Sequence, residues 1–231
     1  MERSEEIRIL KELLRQVETG VNVDAGVQLK NPTNAYTCTE QAAREWDLFF
    51  RQHPQLIGLS GDLEKPGSYL TLDDFGVQIL ATRGQDGTFR AFLNAYRHRG
   101  SKVANETRGN AKRFVCPFHG WTYSGDGQLH AVTQAQDFGE IERNYFGLIE
   151  LPALERDGFL WVHPQPGGEI NLDEVLGDLA QELSEWGAGD LVYRGEATLN
   201  KPMNWKLAND TFGETYHFAR LHGKTLNNIF H

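Results

Sequence analysis

The segment from residue 69 to residue 164 consists of short runs rich in β-branched and aromatic residues, separated by segments that contain glycine. Such runs, bounded by turn residues, are typical of β-strands. Residues 85–87 (Gln-Asp-Gly) and 124–127 (Ser-Gly-Asp-Gly) have the composition of hairpin turns. The sequence therefore predicts one compact antiparallel β domain. The predicted strands are residues 69–72, 77–82, 89–95, 113–116, 121–123, 148–151 and 159–162.

Apolar residues at helical spacing lie on both sides of this domain. They predict helices at residues 4–17, about 37–50, 171–186 and about 202–218, and a further strand is predicted at about 191–199. Thr37, with Glu40 three residues later, has capping-box form, and Asn171 followed by Glu174 is expected to cap the third helix. The predicted fold class is therefore α+β, an antiparallel β domain followed by the beginning of a helix-and-sheet domain.

The charge balance of the chain excludes several classes of partner. The 23 Lys and Arg residues against 32 Asp and Glu residues give a formal net charge of −9, whereas nucleic-acid binding is driven by basic side chains that neutralise phosphates. An acidic chain is equally unsuited to an anionic membrane, and no apolar run approaches the roughly 20 residues that span a bilayer. Two cysteines do not make a disulfide scaffold, and the acidic N-terminus is unlike a signal peptide. We therefore expect a cytoplasmic protein without nucleic-acid or membrane partners.

Two short loops of the predicted β domain carry soft-metal ligands. One contains His98 followed by Arg and Gly, and the other contains Cys116 and His119 in a Cys-x-x-His pattern followed by Gly and Trp. By itself, a Cys-x-x-His pair is more often a buried Cys beside an unrelated His. The addition of His98 favours a metal site. One zinc ion on His98, Cys116 and His119, with an open fourth position, is one such site.

These motifs resemble the Rieske [2Fe–2S] signature of the Rieske non-haem iron ring-hydroxylating oxygenases, in their α (large) subunit. The resemblance implies that His98 and His119 bind the outer iron of a [2Fe–2S] cluster and that Cys116 binds the inner iron. Tyr96 stands at the fourth ligand position, where the family has its first cysteine. A phenolate is a harder ligand than a thiolate, so this departure bears on whether the cluster assembles.

A second group of polar residues lies near the end of the sequence. On one continuous helix Asp210, Glu214 and His217 share a face, and His222 follows five residues after His217. If both histidines bind one metal, the helix must end or kink near Phe218. Without the first group, the solvated face of an amphipathic helix is the simpler interpretation. Two histidines and one carboxylate are, however, the ligands of non-haem Fe(II) oxygenases.

The same region resembles the catalytic domain of the Rieske oxygenases, which carries Asn-Trp-Lys, then Glu/Asp-x-Tyr-His, then a further His. The resemblance implies that His217 and His222 bind mononuclear Fe(II). It also implies that Glu214 forms hydrogen bonds that link this site to a Rieske histidine of the neighbouring subunit. The third ligand of the family is a carboxylate far downstream, so the chain resembles the first part of the full subunit.

The resemblance further implies a reaction and its partners. A reductase or ferredoxin passes electrons from NAD(P)H to the cluster, and the cluster passes them to Fe(II). O₂ is activated at this iron, and an aromatic or other small organic substrate is hydroxylated, as in aromatic hydrocarbon catabolism. The α chains form a homotrimer, with or without β subunits. The expected domains are an N-terminal helical segment at 1–40 that packs with the catalytic domain, the Rieske-type domain at 41–165 and the start of the catalytic domain at 166–231. The alternative is a non-catalytic Rieske-fold interaction or scaffold protein that has lost the cluster.

Overall fold

A computed structural model describes residues 2–21 and 26–225 of the chain. The described residues form two compact units. One comprises Glu45–Gly195, and the other combines the described parts of 1–44 with those of 196–231. Glu45 and Gly195 therefore mark where the chain enters and leaves the first unit.

The first unit is an antiparallel β structure of three sheets. Its strand orders are β1-β11-β10, β5-β2-β3-β4-β9 and β6-β7-β8, and every strand pair is antiparallel. This confirms the predicted antiparallel β domain. The strands are β1 Gln55–Leu59, β2 Ser68–Leu72, β3 Ile79–Arg83, β4 Phe89–Leu93, β5 Arg108–Asn110, β6 Arg113–Val115, β7 Thr122–Ser124, β8 Leu129–Ala131, β9 Glu150–Leu151, β10 Ala153–Arg156 and β11 Phe159–Val162.

All seven strands predicted for the β domain are present, and β11 has the predicted bounds. The two predicted hairpin turns join β3 to β4 and β7 to β8, with Gly87 at φ +78° and Gly127 at φ +82°. Four further strands, β1, β5, β8 and β10, were not predicted. Their partners lie far along the chain or their runs are short, so local pattern alone does not reveal them.

The helices are α1 Arg3–Thr19, α2 Asn34–Thr37, α3 Thr39–Glu45, α4 Leu172–Leu176, α5 Leu179–Glu185, α6 Trp205–Phe212 and α7 Phe218–Leu221, with a π-helical turn at Trp46–Arg51. The predicted cap of α4 is confirmed, since the Glu174 N–H donates to Asn171 Oδ1 at 3.3 Å. The predicted capping box at Thr37 is wrong, because the Thr37 hydroxyl donates to the Thr33 carbonyl and α3 begins at Thr39.

Two of the predicted helices are each divided in two. Gly177, at φ +50°, separates α4 from α5, and Gly213 ends α6 well before the predicted boundary at 218. Glycine stabilises a helix less than other residues do, so both breaks fall where the helix is weakest. The predicted strand at 191–199 is wrong. Its residues are exposed and pair with no strand of the described chain, and β propensity without a partner does not form a sheet.

The core that positions the candidate site lies under two loops of the first unit. It contains buried residues of β3, β4, β6, β7 and β8, among them Phe92 and Tyr123, together with Tyr96, Cys116 and Trp121 from the loops themselves. The loops therefore contribute Tyr96, Cys116 and Trp121 to the core. In the described residues, no helix is both long and apolar enough to cross a membrane.

Substitution of Gly127 by Ala is expected to destabilise the first unit by about 2 kcal/mol beyond the backbone strain, because the new Cβ would lie 2.3 Å from Phe92 Cε1 in the core. Gly87→Ala is the matched control, since Gly87 has a similar positive φ and nothing within 4 Å of an added Cβ. It should cost only the strain of the left-handed backbone, about 1 kcal/mol. Urea denaturation of both variants measures the difference, and equal losses would contradict this account of the core.

Candidate functional site

Two loops of the first unit present the predicted ligands. Loop A, residues 96–100, follows β4, and loop B, residues 116–120, joins β6 to β7. In loop A the Gly100 N–H donates to the Tyr96 carbonyl at 3.0 Å, and in loop B the Gly120 N–H donates to the Cys116 carbonyl at 2.9 Å. Both glycines have positive φ, +71° and +69°. The glycine of each motif is therefore required by the turn that presents the histidine before it.

Tyr96 lies at the centre of the site. Its side chain is 1% exposed, and its hydroxyl lies 2.6 Å from His119 Nδ1, so one hydrogen bond joins loop A to loop B. Burial, together with the adjacent Cys116 side chain, raises the pKa of the Tyr96 hydroxyl above its ordinary value of 10.0. The hydroxyl is therefore neutral at physiological pH.

His98 is held by aromatic contacts. Its ring stacks on Trp121, with centroids 5.4 Å apart and planes inclined by 17°, and Phe138 meets it edge-on at 5.6 Å. Trp121 therefore packs against the ligand loops. His98 Nδ1 is buried and has no hydrogen-bond partner among the described residues. Burial, followed by the nearby His119, lowers the pKa of the His98 ring. An unpaired buried ring nitrogen is suited to metal binding.

The four side chains together do not fit the cluster that the resemblance implies. A Rieske cluster takes two thiolates and two imidazoles, whereas Tyr96, Cys116, His98 and His119 offer one thiolate, two imidazoles and a phenol. The Tyr96 ring fills buried space between the loops, and its hydroxyl already bonds one ring nitrogen of His119. Within residues 2–21 and 26–225, no three His, Cys, Asp or Glu side chains are grouped so that they could hold a metal ion.

The second predicted group lies around α7. The structure contradicts the expectation that Asp210, Glu214 and His217 share one face of a continuous helix, because α6 ends at Phe212. Glu214 and His217 nevertheless meet directly, with Glu214 Oε1 2.6 Å from His217 Nδ1. His217 and His222 lie at the two ends of α7, and their ring centroids are 5.4 Å apart.

Glu214 and the two histidines offer part of the donor set that a metal needs. The hydrogen bond from His217 lowers the pKa of Glu214 below its ordinary value of 4.5. The bond engages Nδ1 of His217, which leaves Nε2 as the nitrogen available to a metal. A carboxylate that fixes the orientation of a metal-binding imidazole is common in metal sites. The donor set therefore fits two ligands of a mononuclear iron, and a third ligand is needed to complete it.

Two hydrogen bonds of Tyr36 near this group were not predicted. The Tyr36 hydroxyl donates to Asp210 Oδ2 at 2.6 Å, and the Asn204 side-chain amide donates to the Tyr36 carbonyl at 3.1 Å. Asp210 thus bonds Tyr36 and is not part of the histidine pair. The two residues are 174 positions apart in the chain, and no local pattern indicates such a contact.

Comparisons with known families support the interpretation of both groups. Residues 53–146 match the family described as the Rieske [2Fe-2S] domain, and residues 188–231 match the ring hydroxylating alpha subunit catalytic domain. The first match contains loops A and B, and the second contains Glu214, His217 and His222.

Curated relatives agree with these families. The chain is 30% identical over 201 residues to the glycine betaine monooxygenase oxygenase subunit of Chromohalobacter salexigens, covering 86% of the chain and 44% of the relative. It is 33% identical over 192 residues to the large oxygenase component of the naphthalene 1,2-dioxygenase system of Ralstonia sp., covering 80% and 41%. The chain thus spans less than half the length of these relatives.

Solved structures show the same similarity. A quaternary ammonium Rieske monooxygenase in complex with L-carnitine has a TM-score of 0.76 at 25% identity, over 85% of this chain and 56% of that one. Naphthalene 1,2-dioxygenase from Rhodococcus sp. bound to indole has a TM-score of 0.67 at 25% identity, over 81% and 44%. The chain belongs to the family of Rieske oxygenase α subunits, a family whose sites contain a [2Fe–2S] cluster and a mononuclear iron.

The substitution Tyr96→Cys is expected to complete the Rieske donor set, because it removes the phenol ring and supplies the second thiolate. After anaerobic reconstitution with iron and sulfide, we expect about two irons and two sulfides per chain and a Rieske-type EPR signal, whereas the native chain retains no acid-labile sulfide. Tyr145→Cys is the control, since Tyr145 is 64% exposed and its replacement should give no cluster. A colourless Tyr96→Cys variant would contradict the assignment of loops A and B as a Rieske-type site.

The lowered pKa of Glu214 predicts how its bond to His217 depends on pH. The bond is intact above the ordinary pKa range of a glutamate and is lost as the pH falls through the lowered value. In a carbon-13 NMR titration, the midpoint of the Glu214 carboxyl should lie below 4.5 and should rise toward it in His217→Ala. His130→Ala, which removes an exposed histidine, should leave the midpoint unchanged. An unaltered midpoint in His217→Ala would show that another group lowers this pKa.

Proposed function

We propose that this chain is part of the oxygenase component of a Rieske non-haem iron oxygenase, in which His217 and His222 bind mononuclear Fe(II). The observation that carries the proposal is the arrangement around α7. Two imidazoles lie 5.4 Å apart by ring centroids, and a carboxylate engages the inner nitrogen of one of them. The region matches the catalytic domain of ring-hydroxylating α subunits.

The residues of this site have distinct roles in the proposal. His217 and His222 hold the metal, and the third ligand comes from a carboxylate further along the α subunit than this sequence runs. Fe(II) bound there supplies the centre at which O₂ is activated for hydroxylation of the substrate. Glu214 is a positioning residue, because the hydrogen bond that it accepts from His217 Nδ1–H fixes the orientation of the imidazole.

The partners of the proposed reaction follow from the family. Electrons derive from NAD(P)H through a reductase or ferredoxin, and the α chains assemble as a homotrimer, with or without β subunits. In such a trimer Glu214 also reaches a Rieske histidine of the next subunit. We place the protein in the cytoplasm, where NAD(P)H is available and where free thiols such as Cys38 and Cys116 stay reduced.

Tyr96 limits what the native chain can do. No route for electrons through loops A and B follows from a site that lacks the second thiolate. We therefore expect the native chain to bind Fe(II) at α7 but to form no product with the reductase, and the Tyr96→Cys form to support the full reaction. The proposed substrate class is an aromatic or other small organic compound. The relatives include enzymes named for naphthalene, chlorobenzene, glycine betaine and carnitine.

Iron binding and turnover of the oxygenase subunit that carries this sequence test the proposal. In the Tyr96→Cys background, about one iron per subunit beyond the cluster is expected by mass spectrometry. Supplied with NADH and a reductase, this form should hydroxylate one member of a panel of the four compounds named above. His217→Ala and His222→Ala should each lose the extra iron and the product, whereas the exposed control His130→Ala should keep both.

The outcomes separate the oxygenase from the alternative of a scaffold protein. If the extra iron persists in a variant that lacks both His217 and His222, the ligand assignment is wrong. If neither the native nor the Tyr96→Cys form binds iron at α7, the chain is the non-catalytic relative, and its loops A and B serve only structure.

A further inference from the structure

We propose that Tyr96 takes over the structural task of a metal cluster in this chain, linking loop A to loop B so that the β unit folds and stays folded without metal. The inference goes beyond the proposed oxygenase function and does not depend on it. It concerns how loops A and B are held together when one of the two thiolates of the Rieske donor set is missing.

The first argument is that the link already spans both loops. Tyr96 belongs to loop A and His119 to loop B, and their hydroxyl and Nδ1 atoms are 2.6 Å apart. The bond is between side chains 23 positions apart in sequence. A metal cluster would join the same two loops through coordinate bonds. Here one buried hydrogen bond makes the connection.

The second argument is that the backbone of each loop closes within itself. The Tyr96 N–H donates to the Ser101 carbonyl at 3.0 Å, and the Cys116 N–H donates to the Trp121 carbonyl at 2.8 Å. With the turn at Gly100 and the turn at Gly120, both ends of each loop are tied by hydrogen bonds. The ends of each loop are therefore held by backbone hydrogen bonds that need no metal.

The third argument is that the phenol ring fills the space between the loops. Tyr96 is among the largest fully buried side chains of the protein. It packs with Cys116 and Trp121 in one core, and its ring lies edge-on to that of Trp121 at 6.2 Å. Buried aromatic area stabilises a fold in proportion to the apolar surface removed from water. An unfilled cavity at this position would instead destabilise it.

The hydrogen bond between Tyr96 and His119 also explains why a ring nitrogen of His98 is left without a partner. The Tyr96 hydroxyl bonds His119 and lies against the Cys116 side chain, whereas His98 Nδ1, like Trp121 Nε1, stays buried and unpaired among the described residues. A two-iron cluster would engage both histidines, whereas a single hydroxyl pairs with one. The unpaired nitrogen is therefore what we expect at a site where one phenol has replaced a larger four-ligand group.

Chemical denaturation with and without a metal chelator tests the proposal on the native chain. The midpoint of urea unfolding, followed by tryptophan fluorescence, should be the same after prolonged anaerobic treatment with bipyridyl and EDTA as before it. Metal analysis should find no acid-labile sulfide in either sample. A lower midpoint after chelation that persists in a chain carrying both His217→Ala and His222→Ala, which removes the proposed iron ligands at α7, would overturn the proposal, since it would show that a metal bound at loops A and B still stabilises the unit.

A pair of tyrosine variants isolates the contribution of the link. Tyr96→Phe removes the hydroxyl and leaves the ring, so the unfolding equilibrium constant should rise about tenfold, as for loss of one buried hydrogen bond. Tyr145→Phe makes the same chemical change on an exposed side chain of the same unit and should have no effect. Equal stability of the two variants would contradict the role of the hydroxyl.

The variant Tyr96→Cys provides the converse test. Without metal it should be less stable than the native chain, because the ring and the hydrogen bond are both lost. Reconstitution with iron and sulfide should restore its stability and make it sensitive to chelators. If the metal-free Tyr96→Cys chain were as stable as the native one, Tyr96 would not stabilise the folded β unit. If Tyr96→Phe does not fold, the chelator experiment on the native chain still decides the question.

Discussion

The buried contact between loops A and B is the interaction on which the β unit depends. Tyr96, Cys116 and Trp121 are each at most 3% exposed, and they share a core with strands of two of the three sheets. The two loops therefore contribute to the core in which side chains of the five-stranded sheet and of the three-stranded β6–β8 sheet meet. A change in the loops affects the packing of both sheets, because interiors packed at this density transmit strain.

The two candidate sites differ in how far they agree with the family. Around α7, the carboxylate and the two histidines are kept together although the helix that was expected to carry them is broken. Short turns bring Glu214 and His217 together, so the pair does not require helical periodicity. In loops A and B, the backbone turns of the family motif are kept, but the donor set is not. The two histidines proposed to bind mononuclear iron are thus kept near each other, whereas the donor set of loops A and B is altered at Tyr96.

Local patterns predicted those elements whose stability comes from local causes. The hairpin turns at Gly87 and Gly127 are confirmed because a positive φ at a two-strand connection favours glycine whatever lies around it. The cap at Asn171 is confirmed for a similar reason. The strand predicted at 191–199 is wrong because a strand needs a partner, and the sequence of the segment contains no information about pairing.

The sequence by itself determined the family and the antiparallel character of the β unit, and it supplied the residues that are proposed to carry chemistry, since these depend on residue type and spacing. It showed that Tyr96 stands where a thiolate is expected, but not what the phenol does there. Only the tertiary structure decided that the hydroxyl bonds His119, that His98 is left with an unpaired nitrogen and that Asp210 bonds Tyr36. Each of these contacts joins residues distant in the chain or depends on side-chain packing, so its geometry is set by the folded core rather than by local preference.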